Sequence, residues 1–84
     1  MVYVVHFYDI TQKPSEQIEA GVGTVNDLID LLEMKYPGIG VLLRKEDGRP
    51  DPRNAIVLNR EGMIARPLND YDIELQEGDR VTLL

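Results

Sequence analysis

The chain contains no cysteine, so disulfides, thiolate metal sites and cysteine nucleophiles are all excluded and stability has to come from packing. Histidine is nearly as scarce. His6 is the only one, and it falls in a β-forming stretch with no nucleophile beside it, so a packed or edge histidine is the plain reading and a catalytic base the sharper one. No apolar run approaches the roughly 18 residues that span a bilayer. The opening stretch, Met1-Val-Tyr-Val-Val-His6, lacks the basic region and small-residue cleavage site of a secretory signal. The expected compartment is the cytoplasm. Positive charge is also in short supply: nine Lys and Arg against fifteen Asp and Glu leave a net charge of -6. Such a chain repels nucleic acid and anionic membranes and favours partners with basic surfaces.

What is present is an ordinary globular composition, 43% hydrophobic and 29% charged over 84 residues, which argues against disorder and fibrous structure. At this length folding buries only roughly 60 to 65% of the surface the unfolded chain exposes, so one compact domain over residues 1–84 is expected.

Val2 to Asp9 is rich in Val, Tyr and Phe and predicts a strand; Pro14 and Ser15 mark a turn into a shorter stretch, Glu16 to Ala20, that pairs back as a hairpin. Gly21-Val-Gly23 breaks the pattern. Thr24 with Asp27 then resembles a capping box, in which side chains satisfy the orphan amides of a first helical turn. Apolar residues at 25, 28, 29, 32 and 36 define one face of a helix, with Asp30, Glu33 and Lys35 on the other side. Pro37 and Gly38 stop it near Tyr36, and Ile39 to Leu43 reads as a short helical turn or apolar loop.

Arg44 to Arg53 is dense in charge, with two prolines and a glycine, and reads as a solvated, mobile loop, or more sharply as a docking or regulatory loop. Ala55 to Leu58 predicts a short strand, Asn59-Arg-Glu-Gly62 a turn with glycine where positive φ is wanted, and Met63 to Arg66 an edge strand ended by Pro67. Glu77-Gly-Asp79 turns the chain into a last strand, Arg80 to Leu84. The acidic stretch Asn69-Asp-Tyr-Asp72-Ile-Glu74 has some likeness to a calcium loop but lacks its glycine at the sixth position and bidentate Glu at the twelfth, so it reads as a solvated turn. Gly21, Gly23, Gly38 and Gly40 form no phosphate-binding pattern. No catalytic, cofactor-binding or metal-ligating residue is assigned.

The predicted order is β-β-α-β-β-β, an α+β fold: a mixed sheet of four to five strands covered on one face by one main helix, the ubiquitin-like β-grasp arrangement. Residues over most of the chain resemble the small MoaD/ThiS-type sulfur carriers related to the molybdopterin synthase small subunit and the thiamine sulfur carrier. The resemblance rests on Val2-x-Val4-x-x-Phe7, Gly23-Thr-Val-x-Asp-Leu-Ile-x-Leu-Leu32, Tyr36-Pro-Gly-Ile39, Ile56-Val-Leu-Asn59 and Leu75-x-x-Gly-Asp-x-Val81-x-x-Leu84, in order and spacing together. It implies a carrier, not itself an enzyme, whose partners are an E1-like activating enzyme and a synthase large subunit or similar acceptor. It also implies a C-terminal Gly-Gly on a flexible extension, adenylated and converted to a thiocarboxylate, because a tail without side chains threads a narrow channel. The sequence reaches Leu84 without that tail. Either it is a shortened or processed form, or the protein is a tail-less relative that serves as a non-covalent binding or regulatory subunit.

If Val2, Val4, Ile56, Leu58, Val81 and Leu83 face the helix, strand alternation sends Tyr3, Val5, Ala55, Val57, Thr82 and Leu84 to the other side. That side is unusually apolar for a solvent face. Either loops or a weak homodimer cover it, or it is a partner-binding patch on a monomer. A one-residue slip in register would exchange the two faces.

Overall fold

The computed structural model describes residues 2–5, 15–18 and 23–84; His6, the rest of the first predicted strand, the Pro14 turn and residues 19–22 lie outside them. Strand β1 (Val2–Val5) pairs antiparallel with β2 (Ser15–Ile18), Val2 opposite Ile18 and Val5 opposite Ser15. Helix α1 (Val25–Lys35) and a single helical turn, α2 (Gly40–Leu43), follow. The remaining strands are β3 (Ile56–Asn59), β4 (Arg66–Pro67) and β5 (Arg80–Leu83). They form one mixed sheet in the order β2-β1-β5-β3-β4. The closing strand β5 lies between β1, to which it is parallel, and β3, to which it is antiparallel.

Alternation decides the layers. Val2, Val4, Ile56, Leu58, Val81 and Leu83 are all buried and join Val25, Leu28, Ile29 and Leu32 of α1 in one core with Ile39 and Leu43. The predicted register therefore holds, and the helix covers the face it was expected to cover.

The start of α1 is fixed twice over. Thr24 and Asp27 form the capping box, with the Asp27 carboxylate accepting from the Thr24 amide at 2.9 Å. Gly23 has a φ of +102°, and a Cβ built on it would stand 2.2 Å from Asp27 Oδ2, so the position requires glycine for both backbone and space. Beyond the box, the carbonyls of Ile73 and Tyr71 accept the amides of Val25 and Asn26 at 3.0 and 2.9 Å. The segment before β5 thus satisfies first-turn donors that a helix cannot satisfy itself.

Two expectations are corrected. The edge strand is not Met63 to Arg66 but Arg66–Pro67, with Val57 opposite Pro67 and Leu58 opposite Arg66. Leu68 donates to the Ile56 carbonyl at 2.8 Å, so the even positions of this edge point their backbone groups inward and Pro67, which has no N–H, faces out. Proline at that place costs no ladder bond and blunts the edge against a further strand. Gly62 does take positive φ, at 82°, but the turn continues past it before pairing resumes.

The second correction concerns Arg44 to Arg53, which is more than a solvated loop. Asp51 is buried at 5% exposure, its amide donates to the Leu43 carbonyl at 3.1 Å, and its carboxylate takes the Arg53 amide at 2.9 Å and Nη2 at 2.7 Å. Arg44 reaches back to Asp30 and to Asn26 Oδ1 of α1. Arg49 and Arg53 pair with carboxylates of the segment and Arg44 with the helix, which composition could not reveal.

Candidate docking face

The face opposite α1 is arranged in rows across the strands. Register places Ser15, Val5, Thr82, Val57 and Pro67 in one row. Gln17, Tyr3, Arg80 and Asn59 form the row toward one end of the strands. Toward the other end Ala55 and Leu84 exchange backbone hydrogen bonds of 3.1 and 2.8 Å that extend the β3–β5 ladder. All six residues expected on this side, Tyr3, Val5, Ala55, Val57, Thr82 and Leu84, lie there. Tyr3 is 41% and Leu84 60% exposed, and the other four are half-buried.

The face thus runs from an apolar end to a hydrogen-bonding end. At the apolar end Leu84, Ala55, Val57, Val5 and Pro67 present little but hydrocarbon. At the other, Tyr3 Oη accepts from Gln17 Nε2 at 3.0 Å, with Arg80 and Asn59 exposed beside it. Alternation also finds Arg80, two positions before Thr82, although attention to apolar residues alone passes over it.

Electrostatically the face stands apart from the rest of an acidic molecule. Among the described residues it carries no carboxylate, and Arg80 is its one charge. The neighbouring Asp79 is turned inward, 1% exposed, and accepts from Arg60 Nε and Nη2 at 2.8 and 2.7 Å and from the Gln76 amide at 2.7 Å. Burial alone raises the Asp79 carboxyl, but the Arg60 and Gln76 hydrogen bonds and the Arg60 charge outweigh it and hold the carboxyl below its ordinary value of 3.8.

Elsewhere, chemistry is sparse. The groove between α2 and the 44–53 segment mixes Arg44, Lys45 and Arg53 with Glu33, Glu46 and Asp51, and Arg44 and Arg53 are already paired. Its Asp51 carboxyl lies at about 2, held down chiefly by the Arg53 side chain and amide against the opposing effect of burial. The acidic stretch 69–74 is bound into local structure, with Asp72 accepting from Asn26 Nδ2 at 2.9 Å and Asp70 accepting the Asp72 amide at 2.9 Å. No group of three or more His, Cys, Asp or Glu side chains among the described residues is placed to hold a metal ion. No helix among them is long and apolar enough to cross a membrane.

The ThiS family model matches residues 1–84. No curated protein sequence matches. Among solved structures, the chain is similar to one in the crystal structure of the Amycolatopsis orientalis BexX/CysO complex, at 25% identity and a TM-score of 0.75, covering 100% of this chain and 93% of that one. It is also similar to SAMP1 from Haloferax volcanii, at 17% identity and a TM-score of 0.71, with coverage of 99% and 91%. A second structure of the H. volcanii small archaeal modifier protein 1 gives 17% identity and a TM-score of 0.69, with coverage of 98% and 92%. The last two likenesses bear on the fold alone. Together with the sheet order and the single covering helix they make the fold a ubiquitin-like β-grasp. With a family match running the length of the chain, the protein belongs to the ThiS family and is a ubiquitin-like protein of the sulfur-carrier type.

Proposed function

We infer that the protein works as a carrier that other proteins bind, docking through the open sheet face to an E1-like activating enzyme and then to a sulfur-accepting partner such as a synthase large subunit. It catalyses nothing itself and works in the cytoplasm. The observation that carries this reading is the face: an apolar surface without a carboxylate side chain among its described residues, on a chain whose net charge is -6. Water-exposed hydrocarbon clustered in this way is what a protein interface uses. The A. orientalis neighbour is described in a complex, BexX/CysO, and protein partners for this chain accord with that.

In the carrier step the enzyme adenylates a C-terminal glycine carboxylate and a sulfur donor displaces AMP to leave a thiocarboxylate. Leu84 stands exposed at the apolar end of the face, so chain continuing from it would leave from beside the docked partner. Intact mass of the natural protein, read for residues past Leu84 that end in Gly-Gly, tests the chemistry. A natural chain ending at Leu84 would favour the tail-less binding subunit instead.

The docking step is tested with purified E1-like activating enzyme of the same organism. Val57→Asp or Val5→Asp is expected to keep a cooperative melt yet abolish capture, since a carboxylate at the centre of an apolar interface has no partner. Unchanged capture by both variants refutes the assignment.

A further inference from the structure

We propose that Arg80 is the orienting contact of the open face: it takes an Asp or Glu side chain that borders the apolar surface of the partner, and so sets which way the partner lies along β5. The proposal rests on the docking reading and adds to it the chemistry of the partner.

Apolar contact is not directional. Val5, Val57, Ala55, Thr82 and Leu84 would bind a flat hydrocarbon surface in several rotations, yet a carrier has to present one end of its sheet to the enzyme. A single charged hydrogen-bonding group at one end of such a face removes the degeneracy. Arg80 has the properties this needs. It is exposed, it lies opposite Tyr3 and Asn59 in the register, and no hydrogen bond or ion pair engages its guanidinium among the described residues. Arg44, Arg49, Arg53 and Arg60 by contrast all pair with carboxylates, and Arg66, also unpaired among the described residues, stands opposite the buried Leu58 and so on the other side of the sheet. Asp79, its neighbour in sequence, is committed to Arg60 on the inner side. Arg80 and Leu84 are separated by four residues of extended chain, about 13 Å, so a carboxylate at one end and hydrocarbon at the other fix a direction as well as a place.

The same observations argue against a second copy of this chain as the occupant. The face offers no carboxylate among its described residues, so two copies packed face to face would leave both Arg80 guanidinium groups covered and unpaired, which is costly. Nucleic acid is disfavoured by one cation on a chain of net charge -6.

The experiment is a binding series by calorimetry with the purified E1-like activating enzyme of the same organism as probe, using Arg80→Ala, Arg80→Lys, Arg80→Glu and, as the face control, Val57→Asp. Melting temperatures of the three Arg80 variants are expected to match wild type, because the exposed side chain makes no hydrogen bond or ion pair among the described residues. Arg80→Ala is expected to weaken binding roughly 10- to 100-fold, as loss of a hydrogen bond to a charged group does. Arg80→Lys should recover part of this and Arg80→Glu should bind worst. Reversing one enzyme carboxylate to arginine should restore binding to Arg80→Glu and to no other variant. If Arg80→Glu binds within about two-fold of wild type while Val57→Asp does not bind, the face is the docking site and the orienting role is wrong. If wild type does not bind, or Val57→Asp binds normally, the docking reading beneath it fails. A dimer of the free chain that Val57→Asp dissolves assigns the face to self-association and overturns the proposal.

Discussion

Asp79→Asn asks how much of this small fold depends on one buried charge. The Asp79 carboxylate is 1% exposed and accepts from both Arg60 Nε and Nη2 and from the Gln76 amide. Arg60 Nη2 also donates to the Glu74 carbonyl at 2.9 Å. The pair thus ties the turn after β3 to the turn before β5. Asparagine keeps the volume but sets an amide N–H against a guanidinium that has no other carboxylate partner among the described residues. Breaking a buried pair from one side costs about 3 to 5 kcal/mol. Because the Arg60 side chain keeps 19% of its exposure, about 3 kcal/mol is expected, and for a domain of this size that is a fall of about 15 °C in Tm. Thermal and urea unfolding of Asp79→Asn, Arg60→Met and the double variant Arg60→Met with Asp79→Leu measure it. The double variant should regain part of the loss, with a coupling of about 2 kcal/mol. The pair also carries a pH signature. Its carboxyl is depressed in the folded state, so its stabilisation is fully present above the ordinary 3.8 and is lost as pH falls below it. Asp79→Asn should flatten that acid limb. A single variant within about 0.5 kcal/mol of wild type, with the limb unchanged, would refute the reasoning.

Other contacts make narrower predictions. In a carbon-detected titration the Asp51 carboxyl should show a midpoint at about 2, moving up toward 3.8 in Arg53→Ala, since the Arg53 hydrogen bonds are the main force holding it down. Tyr71 is 2% exposed and donates to the Leu43 carbonyl at 2.9 Å; Tyr71→Phe removes one of the two hydrogen bonds to that carbonyl, which keeps the Asp51 amide, and should cost about 1 kcal/mol in denaturant unfolding. Gly23→Ala should cost about 2 kcal/mol or more, because it combines positive φ with displacement of the capping carboxylate, and Asp27→Ala in the same background should lose less than it does in wild type.

The legible parts of the fold were those governed by period. Alternation in Val2–Val5, Ile56–Asn59 and Arg80–Leu83, and the spacing of Val25, Leu28, Ile29 and Leu32, each encode a face directly. Hence the core and the six open-face residues could be named in advance, even though both faces of β1 are apolar. Less legible was whatever depended on contacts between distant segments. Asp51 is one polar residue among many in a charged stretch, and only the fold brings the Leu43 carbonyl to its amide. The β4 edge eluded the sequence because proline suggests an end to a strand, and whether its missing N–H matters depends on which side of the ladder it falls.

Asp79 and Arg80 show the two kinds of information acting on adjacent residues. In sequence they are opposite charges side by side, and the simplest guess pairs them. The backbone forbids it: the Asp79 carbonyl already accepts from Tyr3 N–H at 2.9 Å, which extends the β1–β5 ladder by one residue and applies strand alternation to the two side chains. One is sent inward and the other out. Arg60, nineteen residues earlier in sequence, reaches the inward carboxylate, and the outward guanidinium is left without a partner among the described residues. The same alternation that builds the core therefore also prepares the one cation that the described residues place on the open face. A slip of one residue in β5 would bury an arginine and expose a carboxylate there. Register in this strand is thus held by charge as well as by hydrocarbon, and the electrostatic character of the face follows from the pairing that stabilises the fold.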